Sequence, residues 1–199
     1  RSASDYVEVV EKLADQTVDM LEINVSCPNV KHGGIAFGQD PKCLFDITKE
    51  IKAKARQPII MKLSPNVTDI AEMAKAAEAA GRDAISLINT ITGMKIDIHK
   101  RTFALANKTG GLSGPAIKPV AVRMVYQAAN AVKIPVIGMG GIANAEDAIE
   151  FMLAGATGIA VGAMNFVNPY TTAEVVKGIE AYMHRYHIEN ISDIIGTVK

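Results

Sequence analysis

Two carboxamides, a hydroxyl and a thiol stand close together in the run Asn24-Val25-Ser26-Cys27-Pro28-Asn29. A thiol with an ordinary pKa of about 8.5 serves as base or nucleophile where its surroundings favour the thiolate. Carboxamides suit a planar ligand whose edge alternates donors and acceptors. The run follows a strand-like segment, 19–25, and Pro28 has no N–H with which to continue a sheet ladder. Cys27 is therefore expected at the mouth of a site. A cysteine after an apolar strand is more often a buried small hydrophobe, but the polar neighbours Asn24 and Asn29 argue against that here.

Lys62 lies in an otherwise apolar run, Ile59-Ile60-Met61-Lys62-Leu63. A buried ammonium needs a counter-charge or an anionic ligand; a lysine snorkelling from a strand end is the plainer alternative. Asn89-Thr90 ends the next apolar run in the same relative position. Successive strands thus deliver Asn24 and Cys27, then Lys62, then Asn89 and Thr90 to one rim. Two glycine turns follow later strands, Gly138-Met139-Gly140-Gly141-Ile142-Ala143 and Gly162-Ala163-Met164-Asn165. The first matches a relaxed dinucleotide fingerprint, yet the next strand ends without the acidic residue that a ribose requires. The two turns together suit backbone N–H groups converging on one phosphate. Gly110-Gly111-Leu112-Ser113-Gly114, in the long connection 90–117, is another possible backbone clamp. The histidines, at 32, 99, 184 and 187, show no metal-ligand spacing, so no metal is expected. Cys43 is expected to be structural.

These residues require a scaffold of regular elements. A helix with the stripe Tyr6, Val9, Val10 and Leu13 is followed by five strand–helix repeats. The strands are read at 20–25, 58–63, 84–88, 134–138 and 158–161. Caps or first-turn signals at Asp40-Pro41, Thr68 or Asp69, Pro119, Asn144 and Thr171 or Thr172 open the intervening helices. Segment 30–38 reads as a polar, glycine-rich loop, and 188–199 as one further helical turn. Short, continuous apolar strands alternating with helices imply a parallel sheet. Two architectures fit: an open doubly wound sheet, or part of a (β/α)8 TIM barrel. A whole barrel needs about 250 residues. The 199-residue chain is accordingly read as a single domain, 1–199, supplying about five strands, with the first three strands outside the sequence. Such a piece alone, with two open sheet edges, is expected to be poorly stable and inactive.

Lys+Arg and Asp+Glu both total 21. That balance leaves no electrostatic footprint for nucleic acid. No apolar run is long enough for a membrane span. Two cysteines make no disulfide framework, which fits a reducing, cytoplasmic setting.

With Gly33-Gly34-x-Ala36-Phe37-Gly38 after it, the Asn24–Asn29 run resembles the class 1 dihydroorotate dehydrogenases. Lys62, Ile88-Asn89-Thr90, Gly111-Leu112-Ser113-Gly114, Gly140-Gly141 and Gly162-Ala163 fall in that family's order. The match spans essentially the whole chain and about the last two thirds of the family's barrel. The resemblance implies FMN-dependent oxidation of (S)-dihydroorotate to orotate in pyrimidine synthesis. It implies Cys27 as the base, and Asn24, Asn29, Asn89 and Thr90 as orotate ligands. It implies Asn24, Lys62, Ile88, Gly114, Gly140, Gly141, Gly162 and Ala163 as FMN contacts. The glycine-rich loop resembles the class 1B form. That form implies a partner subunit carrying FAD and a 2Fe-2S cluster, NAD as final acceptor, and a homodimer core within a heterotetramer. A phosphate-binding barrel isomerase or lyase without flavin, an NAD-binding Rossmann domain and a non-catalytic binding remnant are the rival readings.

Overall fold

The computed structural model describes residues 3–25 and 34–198. Helix α1 (Ala3–Leu13) leads into β1 (Leu21–Asn24). A short helix α2 (Gly34–Gln39) occupies most of the segment expected to be loop. Its two glycines and short length give little local helical signal. Then come α3 (Pro41–Lys54), β2 (Ile59–Lys62), α4 (Ile70–Ala79) and β3 (Ala84–Leu87). Asp40 and Asp69 cap α3 and α4, accepting from the backbone N–H groups of Cys43, and of Ala71 and Glu72.

The long connection has structure of its own. Strand β4 (Ile91–Met94) pairs antiparallel with β7 (Thr109–Leu112), and β5 (Ile96–Asp97) with β6 (Thr102–Phe103). A 3₁₀ turn, Pro115–Ile117, opens α5 (Lys118–Ala129). Strand β8 (Val136–Met139), α6 (Ala145–Leu153), β9 (Gly158–Ala160) and α7 (Thr171–Tyr186) complete the repeats. Asn144 caps α6 through the Asp147 N–H. The tail forms the 3₁₀ turn Ile191–Ile194, which buries Ile194.

The five parallel strands lie side by side in the order β1-β2-β3-β8-β9. This is their sequence order with no reversal. A doubly wound sheet must reverse direction at a switch point; a barrel wall does not. The doubly wound alternative is therefore excluded, and with it the Rossmann reading. Gly138 has another cause: a Cβ there would lie 2.6 Å from Cδ1 of Phe151. The glycine lets α6 pack directly on β8, and Phe151 is fully buried there.

The alternation along the strands sorts two faces. Leu21, Ile23, Met61, Ile85, Leu87 and Val136 are buried and face the helices. Register then places Glu22, Asn24, Ile60, Lys62, Ser86, Met139 and Ala160 on the concave face. Along α1 the stripe is narrower than expected: Val10 is buried but Val9 is 55% exposed.

Candidate active site at the carboxyl ends of the strands

A cleft of roughly 500 Å³ opens where the parallel strands end. Its floor and walls are Glu22, Lys62 and Met139 from the strands, Ile88 just after β3, and the turns Gly140–Ile142 and Val161–Met164. Asn89, Thr90, Ser113, Gly114 and Phe166 complete its mouth. The carboxyl end is where (β/α)8 barrels carry their chemistry.

Of the residues expected on one rim, Asn24, Lys62, Asn89 and Thr90 do converge. Asn89 Nδ2 donates to Asn24 Oδ1 at 3.0 Å, across 65 positions of sequence. Asn89 Oδ1 accepts from the Thr90 N–H at 2.8 Å, which fixes how its amide is turned. The Tyr6 hydroxyl donates to the Asn24 carbonyl at 3.0 Å and ties α1 to the strand end. Ser26, Cys27 and Asn29 lie outside the described residues. Cys43 is on α3, half-buried, and Asp40, which accepts from its backbone N–H, pushes its thiol pKa up. It takes no part in the cleft.

Lys62 has a counter-charge. Its Nζ lies 3.5 Å from Oε1 of Glu22, one strand over. The other oxygen of Glu22 accepts from the buried Ser86 hydroxyl at 2.8 Å. Glu22 was not singled out in the sequence, where it is one acid in a strand. Only the β1–β2–β3 register shows that it faces the lysine. Asn66 was also missed. Its Nδ2 donates to the Thr90 carbonyl at 3.2 Å, and its Oδ1 accepts from the Thr92 N–H at 3.0 Å. It thereby anchors the β4–β7 excursion beside the site.

The glycine turns are built for close approach. Gly114, Gly140 and Gly141 have φ of +88°, +124° and +83°, where a side chain is strained. Space beside Gly114 and Gly162 is open to 4 Å at the Cβ position, so a ligand can reach their backbone. Behind the first turn sits a brace. Asp147, 9% exposed, accepts from the Ala143 N–H at 2.9 Å and from Lys118 Nζ at 2.6 Å. Lys118 also donates to Glu150 at 2.6 Å. These hydrogen bonds, to Asp147 first, raise the Lys118 pKa. The stability they supply is complete below the ordinary value of 10.5 and is lost only as pH climbs through the raised one. Near-neutral pH therefore leaves the brace intact. Asp147→Ala leaves the Ala143 N–H and the lysine short of a partner. It is expected to cost about 2 kcal/mol, read as a lower denaturation midpoint of the complete protein.

Among the described residues no group of histidine, cysteine and acid could hold a metal, and no helix is long and apolar enough to cross a membrane.

A sequential parallel wall with its cleft at the strand ends defines part of a (β/α)8 barrel. The sequence model of the dihydroorotate dehydrogenases matches residues 1–183. The chain belongs to the dihydroorotate dehydrogenase family. It is 68% identical over 199 residues to the dihydroorotate dehydrogenase B (NAD(+)) catalytic subunit of Lachnoclostridium phytofermentans, covering all of this chain and 66% of that protein. It is 64% identical over 196 residues to the subunit of the same name in Alkaliphilus oremlandii, covering 98% of this chain and 65% of that one. The chain thus spans just under two thirds of the relatives it matches. A crystal structure of DHODH from Eimeria tenella in complex with ferulenol superposes with a TM-score of 0.83 at 23% identity. It covers 98% of this chain and 57% of that one, and bears out the barrel architecture.

Proposed function

We propose that the chain is the carboxy-terminal two thirds of an FMN-dependent enzyme that oxidises (S)-dihydroorotate to orotate in pyrimidine synthesis. The observation that carries this is the cleft itself. It joins open backbone turns at one end to a lysine and paired carboxamides at the other, with Ile88, Met139 and Val161 between them. That shape fits FMN, which has a phosphate tail and a flat apolar ring with a polar edge. Gly140, Gly141, Gly162 and Ala163 would hold the phosphate. Ile88 and Gly114 would flank the ring, with Lys62 at its N1/O2 edge and Asn24 close by.

Bound FMN supplies a two-electron acceptor for the hydride leaving C6 of the substrate. Cys27 takes the proton from C5 as thiolate, and the new C5–C6 double bond completes orotate. Asn24, Asn29, Asn89 and Thr90 orient the substrate ring over the flavin. The amide of Asn89, turned by Thr90, presents a fixed donor–acceptor pair, so little ordering remains to be done on binding. Lys62 favours the negative charge that reduction places on the flavin.

The shared name of the relatives, catalytic subunit of an NAD(+)-linked enzyme, supports NAD as final acceptor. On this reading a partner subunit carrying FAD and a 2Fe-2S cluster passes the electrons on, around a homodimer core, in the cytoplasm. The complete protein is expected to purify with a visible flavin spectrum that bleaches when dihydroorotate is added without oxygen. A colourless protein that takes up no flavin favours the flavin-free barrel instead.

A further inference from the structure

The charged side chains on the described concave face of the sheet are Glu22 and Lys62. Glu22 sits two residues below Asn24 on β1, so its side chain points the same way but deeper, by about 6–7 Å. Its carboxylate is shared between two donors, the Lys62 ammonium at 3.5 Å and the Ser86 hydroxyl at 2.8 Å. Both Glu22 and Lys62 line the cleft, and Ser86 is fully buried beneath it. The wall is otherwise apolar here, with Ile60 buried beside them. A surface ion pair on a barrel exterior would be worth little. This one lines the cleft under the proposed ring position; the lysine and carboxylate side chains are 22% and 38% exposed, so solvent screens them in part, and a bound ring that covers them strengthens their field.

We infer that Glu22 is a positioning residue that sets the reduction potential of the bound flavin through Lys62. The inference rests on the FMN reading above. Lys62 stabilises the negative charge of the reduced ring; Glu22 offsets part of that field and also holds the ammonium in place. The Ser86 hydroxyl draws some of the carboxylate's charge away from the lysine. The two neighbours of Lys62 therefore act in opposite directions. Removing the carboxylate charge makes reduction easier, and removing the hydroxyl makes it harder. A lysine that only needs burying would be served by any acceptor, and a purely structural pair would leave the potential where it was.

The test is spectroelectrochemical titration of the flavin in the complete holoenzyme, with wild type, Glu22→Gln and Ser86→Ala side by side. Glu22→Gln keeps the shape and the acceptor while removing the charge. It is expected to shift the oxidised-to-reduced equilibrium at least tenfold toward the reduced flavin, about 30 mV upward for a two-electron couple. Ser86→Ala is expected to move it downward. An unchanged or lowered potential in Glu22→Gln overturns the assignment. Should that variant not accumulate as folded holoenzyme, the Ser86→Ala sign decides, and no fall overturns it. A wild-type protein that carries no flavin and cannot be loaded with it overturns the cofactor reading, and this inference with it. A flavoprotein whose variants match wild type overturns the Glu22 role alone.

Discussion

Replacing Cys27 by alanine in the complete protein is expected to leave flavin bound and slow its reduction by dihydroorotate by about two to four orders of magnitude. The separation of these two effects follows from where the residues lie. Asn24 at the end of β1 apart, the proposed flavin contacts come from the ends of β2 and β3, from Gly114, and from the turns after β8 and β9. Cys27 follows β1 and is assigned to the substrate alone. Flavin absorbance in the purified variant measures the first effect. Anaerobic rapid-mixing measures the second, before any partner subunit takes part.

The size of that loss reflects what the base has to do. The C5 proton of the substrate is weakly acidic, and without a positioned acceptor only water or buffer can take it. A thiol near its ordinary pKa of about 8.5 is partly ionised near neutrality and gains from modest stabilisation of the thiolate. Reduction by the wild type should therefore quicken as pH rises through the thiol's titration, and the alanine variant should lose that limb. Unchanged turnover in Cys27→Ala removes the residue from its role. Flavin lost together with turnover would mean that the 26–33 segment shapes the cofactor pocket as well.

How much of this was legible in the sequence depended on the range of the interaction. The parallel strands and the caps at Asp40, Asp69 and Asn144 are local patterns: an apolar run, or an oxygen placed three residues before an N–H. All were readable. The convergence of Asn24, Lys62 and Asn89 was readable too, because strand ends repeat and a parallel sheet puts equivalent ends together. Glu22 was not, since its meaning depends on register: only when β1 and β2 are aligned does an ordinary acid become the neighbour of Lys62. The brace behind the glycine turn joins Lys118 to Asp147, 29 residues apart, and has no local signature. The strands inside the long connection, 91–112, are not legible in the sequence. They are two to four residues long and interrupted by Gly93, Gly110 and Gly111, which hide the alternation that betrays a strand. Helix α2 was concealed in the same way.

The first glycine turn gives the second large effect. Gly141→Ala is expected to destabilise the complete protein by at least about 2 kcal/mol and to abolish flavin retention. Gly141 has φ of +83°, where an alanine is strained in any surroundings. Its surroundings are also tight. A Cβ there would stand 2.9 Å from the Gly114 carbonyl oxygen and 2.9 Å from the Lys118 backbone nitrogen. Both are main-chain atoms at the head of α5, and that head is pinned through the Lys118 side chain to Asp147 and Glu150. Neither can yield as a flexible side chain could, so relief must come from moving the turn itself. Gly162→Ala supplies the contrast. Its φ is −109°, and nothing lies within 4 Å of the added carbon. That variant should unfold at the wild-type denaturant midpoint and yet hold flavin less tightly, since the new methyl enters the open space proposed for the phosphate. The pair separates a cradle from a mere folding requirement. If Gly162→Ala holds flavin as the wild type does, the second turn is no part of the cradle. If Gly141→Ala unfolds like the wild type, the contact of the first turn with the head of α5 is not what fixes its shape.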